Sequence, residues 1–202
     1  KQLAKDNQKF VFSQVVKGQR GRDLADALQW LKSAGLIHQL EKVENAELPL
    51  TAYADSSFFK IYLCDVGLLC LMADLDYETI VFEHDALGSF KGAITENFVI
   101  AELIAAGEKP YYWRSGNTAE LDFLLQIGRH IVPIEAKATL NTQAKSYRVF
   151  CKRFKPEFGL RLSLKNFGLN WVEETKTLSV PLYATWNFRD YLKKAENLQV
   201  EE

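Results

Sequence analysis

Cysteine is scarce: Cys64, Cys70 and Cys151 are odd in number and have no ligand spacing. That excludes a thiolate zinc site and suits a reducing, cytoplasmic setting. Long apolar runs are absent too. The longest, Ile61 to Leu75, is too short to span a bilayer and is broken by Asp65 and Asp74, so no membrane partner is expected. No signal peptide, internal repeat or low-complexity tract is visible. A formal charge of −1 argues against a generally basic nucleic-acid binder. It hides an asymmetry: residues 1–90 carry 9 Lys/Arg against 13 Asp/Glu, and residues 91–202 carry 16 against 13.

What is present is core-forming material. With 48% hydrophobic and 12% aromatic residues in 202, the chain can build one sizeable core or two small ones. Lys1 falls inside a polar, helix-like stretch, which suggests a cut made in a longer protein. Residues 1–17 are expected to close a helix, and Gly18-Gln19-Arg20-Gly21 to turn. Leu24, Ala27, Leu28 and Leu31 recur at helical spacing up to a C-capping Gly35. Strands are expected at 36–43 and 58–64, separated by a loop, with a helix from about Asp65. Helix, turn, helix and strand pair is the order of a winged helix. That would set Arg20, Arg22, Gln29 and Lys32 against DNA phosphates, whereas Asp23 and Asp26 on the same helix favour a docking module.

A linker at His84–Gly92 divides the chain into expected domains 1–86 and 87–202. After it come an apolar helix at 93–106 carrying Glu96, a strand at 111–114, a hairpin, a helix at about 143–155 and a strand at 159–164. A late strand is expected at 178–185, at an edge or bulge because of Pro181, and a closing amphipathic helix at 187–198.

The hairpin is the organising stretch. Ala119 to Gln126 alternates Glu120, Asp122 and Leu124 with Leu121, Phe123 and Leu125. Residues 127–130 turn, and Ile131 to Ala138 return with Glu135 and Lys137 on one face. Buried charge is costly unless paired or metal-bound. Asp122, Glu135 and Lys137, backed by Glu96, therefore form a candidate hard-cation site. Asp122 and Glu135 with a backbone carbonyl would hold Mg²⁺ (or Mn²⁺), and Lys137 would orient a water or neutralise developing charge. The plain alternatives are a Glu135–Lys137 surface pair, an Asp122 that caps a turn or pairs with Arg114, and a solvated Glu96.

An apolar helix with Glu96, then Asp122, then Glu135-Ala136-Lys137 resembles the PD-(D/E)xK nuclease superfamily. The resemblance implies an α/β fold with a restriction-endonuclease-like α-β-β-β-α-β core and a mixed sheet, preceded by a small winged-helix-like α+β domain. Leu121 stands where many members have proline. Nearly the whole chain also resembles the C-terminal region of AAA+-type ATPases of bacteria and archaea. The residues that carry this are Ala27 to Leu31 with Ala34 to Ile37, Leu50 to Asp55, Phe58 to Lys60 with Asp65 to Leu68, Gly92 to Asn97, and Tyr111 to Ser115. No G-x-x-x-x-G-K-[ST] occurs, so ATP would act only through an ATPase domain upstream of Lys1. The resemblance implies catalytic Glu96, Asp122, Glu135 and Lys137, and Mg²⁺-dependent hydrolysis of DNA. The alternative is an inactive module that binds nucleic acid or protein, with self-association left open.

One further feature points to nucleic acid. Lys145, Arg148, Lys152 and Lys155 form a helical stripe opposite Tyr147, Phe150, Cys151 and Phe154. Such a stripe suits phosphates, although a charged helix face is often merely solvated.

Overall fold

The computed structural model describes residues 10–11, 21–82, 87–88, 90–116, 119–140 and 144–197. The expected first helix (1–17) and the turn with Arg20 lie almost wholly outside these. At Phe10 and Val11 the chain is not helical, and the Phe10 amide donates to the Phe59 carbonyl. Helix α1 (Gly21–Ser33) forms where Leu24, Ala27, Leu28 and Leu31 recur. It ends through Gly35 at φ +71°, with the Gly35 and Leu36 amides donating to the Lys32 and Leu31 carbonyls.

Strand β1 (Ile37–Val43), a 3₁₀ turn at Leu50–Tyr53 and strand β2 (Ala54–Leu63) follow, with β1 beside β2. The polar Ala54–Ser57 segment reads as loop in the sequence, yet it extends β2 at its exposed end. Asp65 caps helix α2 (Val66–Met72) by accepting from the Leu68 amide at 2.9 Å. A short helix α3 (Tyr77–Phe82) precedes helix α4 (Phe90–Ala105), which stops at Gly107, φ +82°.

Beyond α4 come β3 (Tyr111–Ser115), β4 (Ala119–Ile127), β5 (His130–Ala136), α5 (Lys145–Phe154) and β6 (Phe158–Ser163). Residues 90–163 thus run α-β-β-β-α-β, and the fold is mixed α/β. Strands β7 (Gly168–Val172) and β8 (Thr175–Pro181) and helix α6 (Phe188–Asn197) complete the chain.

The late strand begins at Thr175, three residues before the expected Leu178, and is not at an edge. It lies between β6 and β7, all seven residues are buried, and Pro181 is its last residue. Its polar start hid it: Lys176 and Thr177 are buried with partners, Lys176 donating to the Ala195 carbonyl and Thr177 bonding Tyr147.

The chain divides into two compact units, Lys1–Glu41 with Asp55–Ala101 and Lys42–Ala54 with Glu102–Glu202. In the first, Leu28, Leu68, Leu69, Phe90 and Ile94 gather on Ile37, Phe59, Ile61 and Leu63. Buried Asn97 clamps the end of β2: its Oδ1 accepts from the Leu63 amide at 2.8 Å, and its Nδ2 donates to the same residue's carbonyl.

In the second unit the strand order is β3-β4-β5-β6-β8-β7. Neighbours β3, β4 and β5 run antiparallel, β5, β6 and β8 parallel, and β7 antiparallel to β8. The apolar stripe of α5 packs Tyr147, Phe150 and Cys151 against Trp113, Leu121, Leu124 and Val172. Residues 42–54 join this core: Val43 and Leu50 are fully buried in it. The Trp113 indole donates to the Glu44 carbonyl and the Leu50 amide to Gln126 Oε1, both at 3.0 Å.

Candidate active site

Strict alternation along β4 fails at the residue that matters. Trp113 pairs with Leu121 but Tyr111 pairs with Leu124, so two residues of β4, Asp122 and Phe123, stand against one of β3, Tyr112. This is a β-bulge at Asp122-Phe123. As a result Leu121 and Leu124, expected on opposite faces, pack in the same core. The expectation that Glu120, Asp122 and Leu124 share one face therefore does not hold through the bulge.

The bulge is where β4 and β5 part. Their ladder runs from Ile127↔His130 to Phe123↔Ile134. Past it, the Ala136 amide donates to Asp122 Oδ2 at 2.9 Å. A buried N–H needs an acceptor, and here a carboxylate supplies it. On its other side β5 stays paired with β6, Glu135 against Arg161 and Ala136 against Leu162. The Lys137 amide then donates to the Leu162 carbonyl at 2.8 Å.

Strand β5 ends at Ala136, so Lys137 lies just beyond it rather than on the strand face expected for it. Its ammonium still reaches Glu135: Nζ stands 2.5 Å from Oε1. Glu135 is 3% exposed, whereas Lys137 is about one-third exposed. The Glu135–Lys137 pair of the plain alternative is thus formed, with its carboxylate buried rather than at the surface. The structure therefore brings Asp122, Glu135 and Lys137 to one junction, through the amide between the last two. Glu120 stands beside it, 3.9 Å from Arg114 Nε. Its own amide is held by Ser146 Oγ of α5 at 3.3 Å.

Glu96 belongs to the first unit. There its Oε2 accepts from the Tyr62 hydroxyl at 2.9 Å and lies 4.0 Å from the Lys60 ammonium. Lys60 is 2% exposed, an unusual burial for a lysine and one supported by this carboxylate. Sequence reasoning missed both partners. The signal was present, since Lys60 and Tyr62 share a strand face by period two.

Carboxylate oxygens of the kind Asp122 and Glu135 carry are what Mg²⁺ takes, and here one accepts from the Ala136 amide while the other pairs with Lys137. Among the described residues no group of three or more His, Cys, Asp or Glu is arranged to hold a metal.

The α5 stripe is where the period put it. Lys145, Arg148 and Lys152 are exposed, and Lys155 is the exposed left-handed cap at φ 47° rather than a residue inside the helix. Two of the four meet the β7–β8 turn: Arg148 Nε lies 3.7 Å from Glu173, and Lys155 Nζ lies 2.7 Å from Glu174. On α1, Gln29 bonds Ser33, and Lys32 bonds Gln39 of β1.

No curated protein and no solved structure matches the chain. Residues 1–79 match the model of a domain of unknown function, DUF8612. Residues 91–183, which include β3 to β8 and the junction, match that of another, DUF4143, a domain found in ATPase-associated proteins.

Proposed function

We propose that residues 87–202 form a PD-(D/E)xK-type nuclease-like domain, carried with a winged-helix-like module in the C-terminal region of an AAA+-type ATPase. The observation that supports it is the junction at the β4 bulge. Asp122 is bonded to the amide of Ala136, the residue between Glu135 and Lys137. In this reading Asp122 and Glu135 would hold Mg²⁺. When bound, the ion lowers the pKa of a water and offsets charge on the phosphodiester.

The chain's own residues do the rest. The bulge turns Asp122 out of strict alternation and parts the strands. Burial keeps Glu135 rigid, and Lys137 carries positive charge next to the carboxylates, where a developing oxyanion is stabilised. Exposed Lys145 and Lys152 then take the phosphate backbone.

The test is cleavage of labelled duplex and branched DNA by the full chain with Mg²⁺ or Mn²⁺. Wild type should cut, and Asp122→Asn should not, while its DNA affinity stays equal or rises. A wild type that never cuts but binds DNA with strong salt dependence would favour the second reading, an inactive binding module. One arrangement favours that reading already: both carboxylates are engaged by the protein itself, Glu135 by Lys137 and Asp122 by Ala136.

A further inference from the structure

Arg161 is a charged residue set within the second unit's sheet, one strand away from the junction. It lies on β6 in register with Glu135 of β5, and the two strands run parallel. Side chains in register on parallel strands point to the same face. That face is the one under α5. Gly159, two residues before Arg161 on β6, has its Cβ direction aimed at the Tyr147 hydroxyl. The Arg161 guanidinium lies over the Tyr147 ring, its Cζ 5.0 Å from the ring centroid.

A charge taken out of water needs pairing or hydrogen bonds. Arg161 is half-buried, and its Nε is buried with no acceptor among the described residues. The carboxylate beside it on the sheet, Glu135, is paired with Lys137. What holds the guanidinium is the Tyr147 ring, and that ring is fixed: Tyr147 is fully buried and its hydroxyl bonds Thr177 at 3.0 Å. Stacking uses the face of the guanidinium and leaves the N–H donors in its plane for another partner. A flat fork of donors is therefore held beside Glu135 before any ligand arrives. Such a fork matches the non-bridging oxygens of a phosphodiester. Its place agrees, because Glu135 and Arg161 lie toward the C-terminal ends of parallel strands, where open α/β sheets take their ligands.

We propose that Arg161 binds a phosphate of the nucleic-acid strand beside the junction and so positions the scissile phosphodiester over Asp122 and Glu135. This rests on the nuclease reading of the junction and adds to it the group that holds the substrate in place. Glu135 then stands between two cations of different duty. Lys137, two residues on, is seated on the carboxylate itself, and Arg161, one strand across, is turned by Tyr147 toward the incoming anion.

The experiment is binding of a short labelled DNA duplex to the 202-residue chain over a salt series in EDTA, followed by cleavage of the same duplex in Mg²⁺. Arg161→Gln should weaken binding roughly tenfold at low salt. It should also flatten the slope of log affinity against log salt by about 0.9, the value of one phosphate contact. Arg161→Lys keeps the charge and loses the fork, so it should restore the slope and only part of the affinity. A melting midpoint lowered in Arg161→Gln with an unchanged slope would mean a purely structural residue and overturn the proposal. A wild type that does not bind the duplex would overturn it too. Should Arg161→Gln fail to fold, wild type carrying isotope-labelled arginine is read instead: the guanidinium resonance missing from Arg161→Lys should shift as duplex is added, and one that stays in place overturns the proposal. The two readings fail separately. Binding with an Arg161-dependent slope but no cleavage refutes the nuclease reading and supports the phosphate contact, whereas cleavage with equal slopes refutes the contact alone.

Discussion

Asp122 and Gly159 carry the two sharpest demands at the scale of single residues. Asp122 satisfies the Ala136 amide, and an asparagine can still accept that bond through its carbonyl oxygen. Asp122→Ala should therefore cost about 1–3 kcal/mol of stability by leaving the amide without its acceptor, and Asp122→Asn clearly less. Paired urea melts of the two variants check this. Equal loss in both would mean that charge, not hydrogen bonding, holds the junction.

Gly159 has no room for a side chain: a Cβ there would stand 2.0 Å from the Tyr147 hydroxyl and 3.2 Å from Pro133 Cγ. That hydroxyl is fully buried and bonded to Thr177 at 3.0 Å, and burial holds its pKa well above the ordinary phenol value. Gly159→Ala should destabilise by about 1–3 kcal/mol or more, and Tyr147→Phe in the same chain should recover part of it. The double variant's midpoint is the readout.

His38 of β1 sets a pH dependence. Burial lowers its pKa below 6.5, so the unfolded chain takes up its proton first as pH falls. Its contribution to stability is complete above pH 6.5, declines below it, and levels off below the folded-state pKa. Thermal melts from about pH 7.5 to about pH 5 should show a shallower decline for His38→Gln than for wild type; equal slopes would exclude a role for His38.

At the scale of elements, the faces of helix α5 were legible from its period, though not its end, where Lys155 is the left-handed cap. Tyr147, Phe150 and Cys151 are buried and Lys145, Arg148 and Lys152 exposed, because a 3.6-residue repeat fixes faces independently of what packs on them. Strands were less legible. Period two predicts faces only while the register is continuous, and the bulge at Asp122-Phe123 reverses the parity of β4 without any glycine or proline to announce it. Strand β7 was missed because Gly168 to Val172 is short, opens on a glycine and buries only its last residue, Val172. The start of β8 was missed because Lys176 and Thr177 are buried by partners from α6 and α5, far away in sequence.

The stripe on α5 yields its own prediction. Each phosphate contact on duplex DNA contributes a slope of about −0.9 in log affinity against log salt. Lys145→Ala with Arg148→Ala should flatten the slope by up to about two units without changing sequence preference. Because Arg148 already faces Glu173, Lys145→Ala alone should account for more than half of that change. A salt series of duplex binding gives both slopes, and unchanged slopes would leave the stripe a solvated face.

For the molecule as a whole, the α-β-β-β-α-β order was readable and the grouping of distant segments was not. Residues 42–54 look like loop between two strands. They belong to the second unit because Val43 and Leu50 are buried there and Trp113 and Gln126 bind their backbone. No periodicity encodes such a bond between Leu50 and Gln126. The same holds for Glu96, whose position on a helix was foreseen while its partners Lys60 and Tyr62 were not.

The junction of Asp122, Glu135 and Lys137 is proposed above as a divalent-cation site serving phosphodiester chemistry. Its most direct test is anomalous diffraction from crystals of the chain soaked in Mn²⁺, wild type beside Asp122→Asn. A manganese peak is expected between the Asp122 and Glu135 carboxylates of wild type and none in the variant. Density with no peak there, and with Lys137 still seated on Glu135, would contradict it.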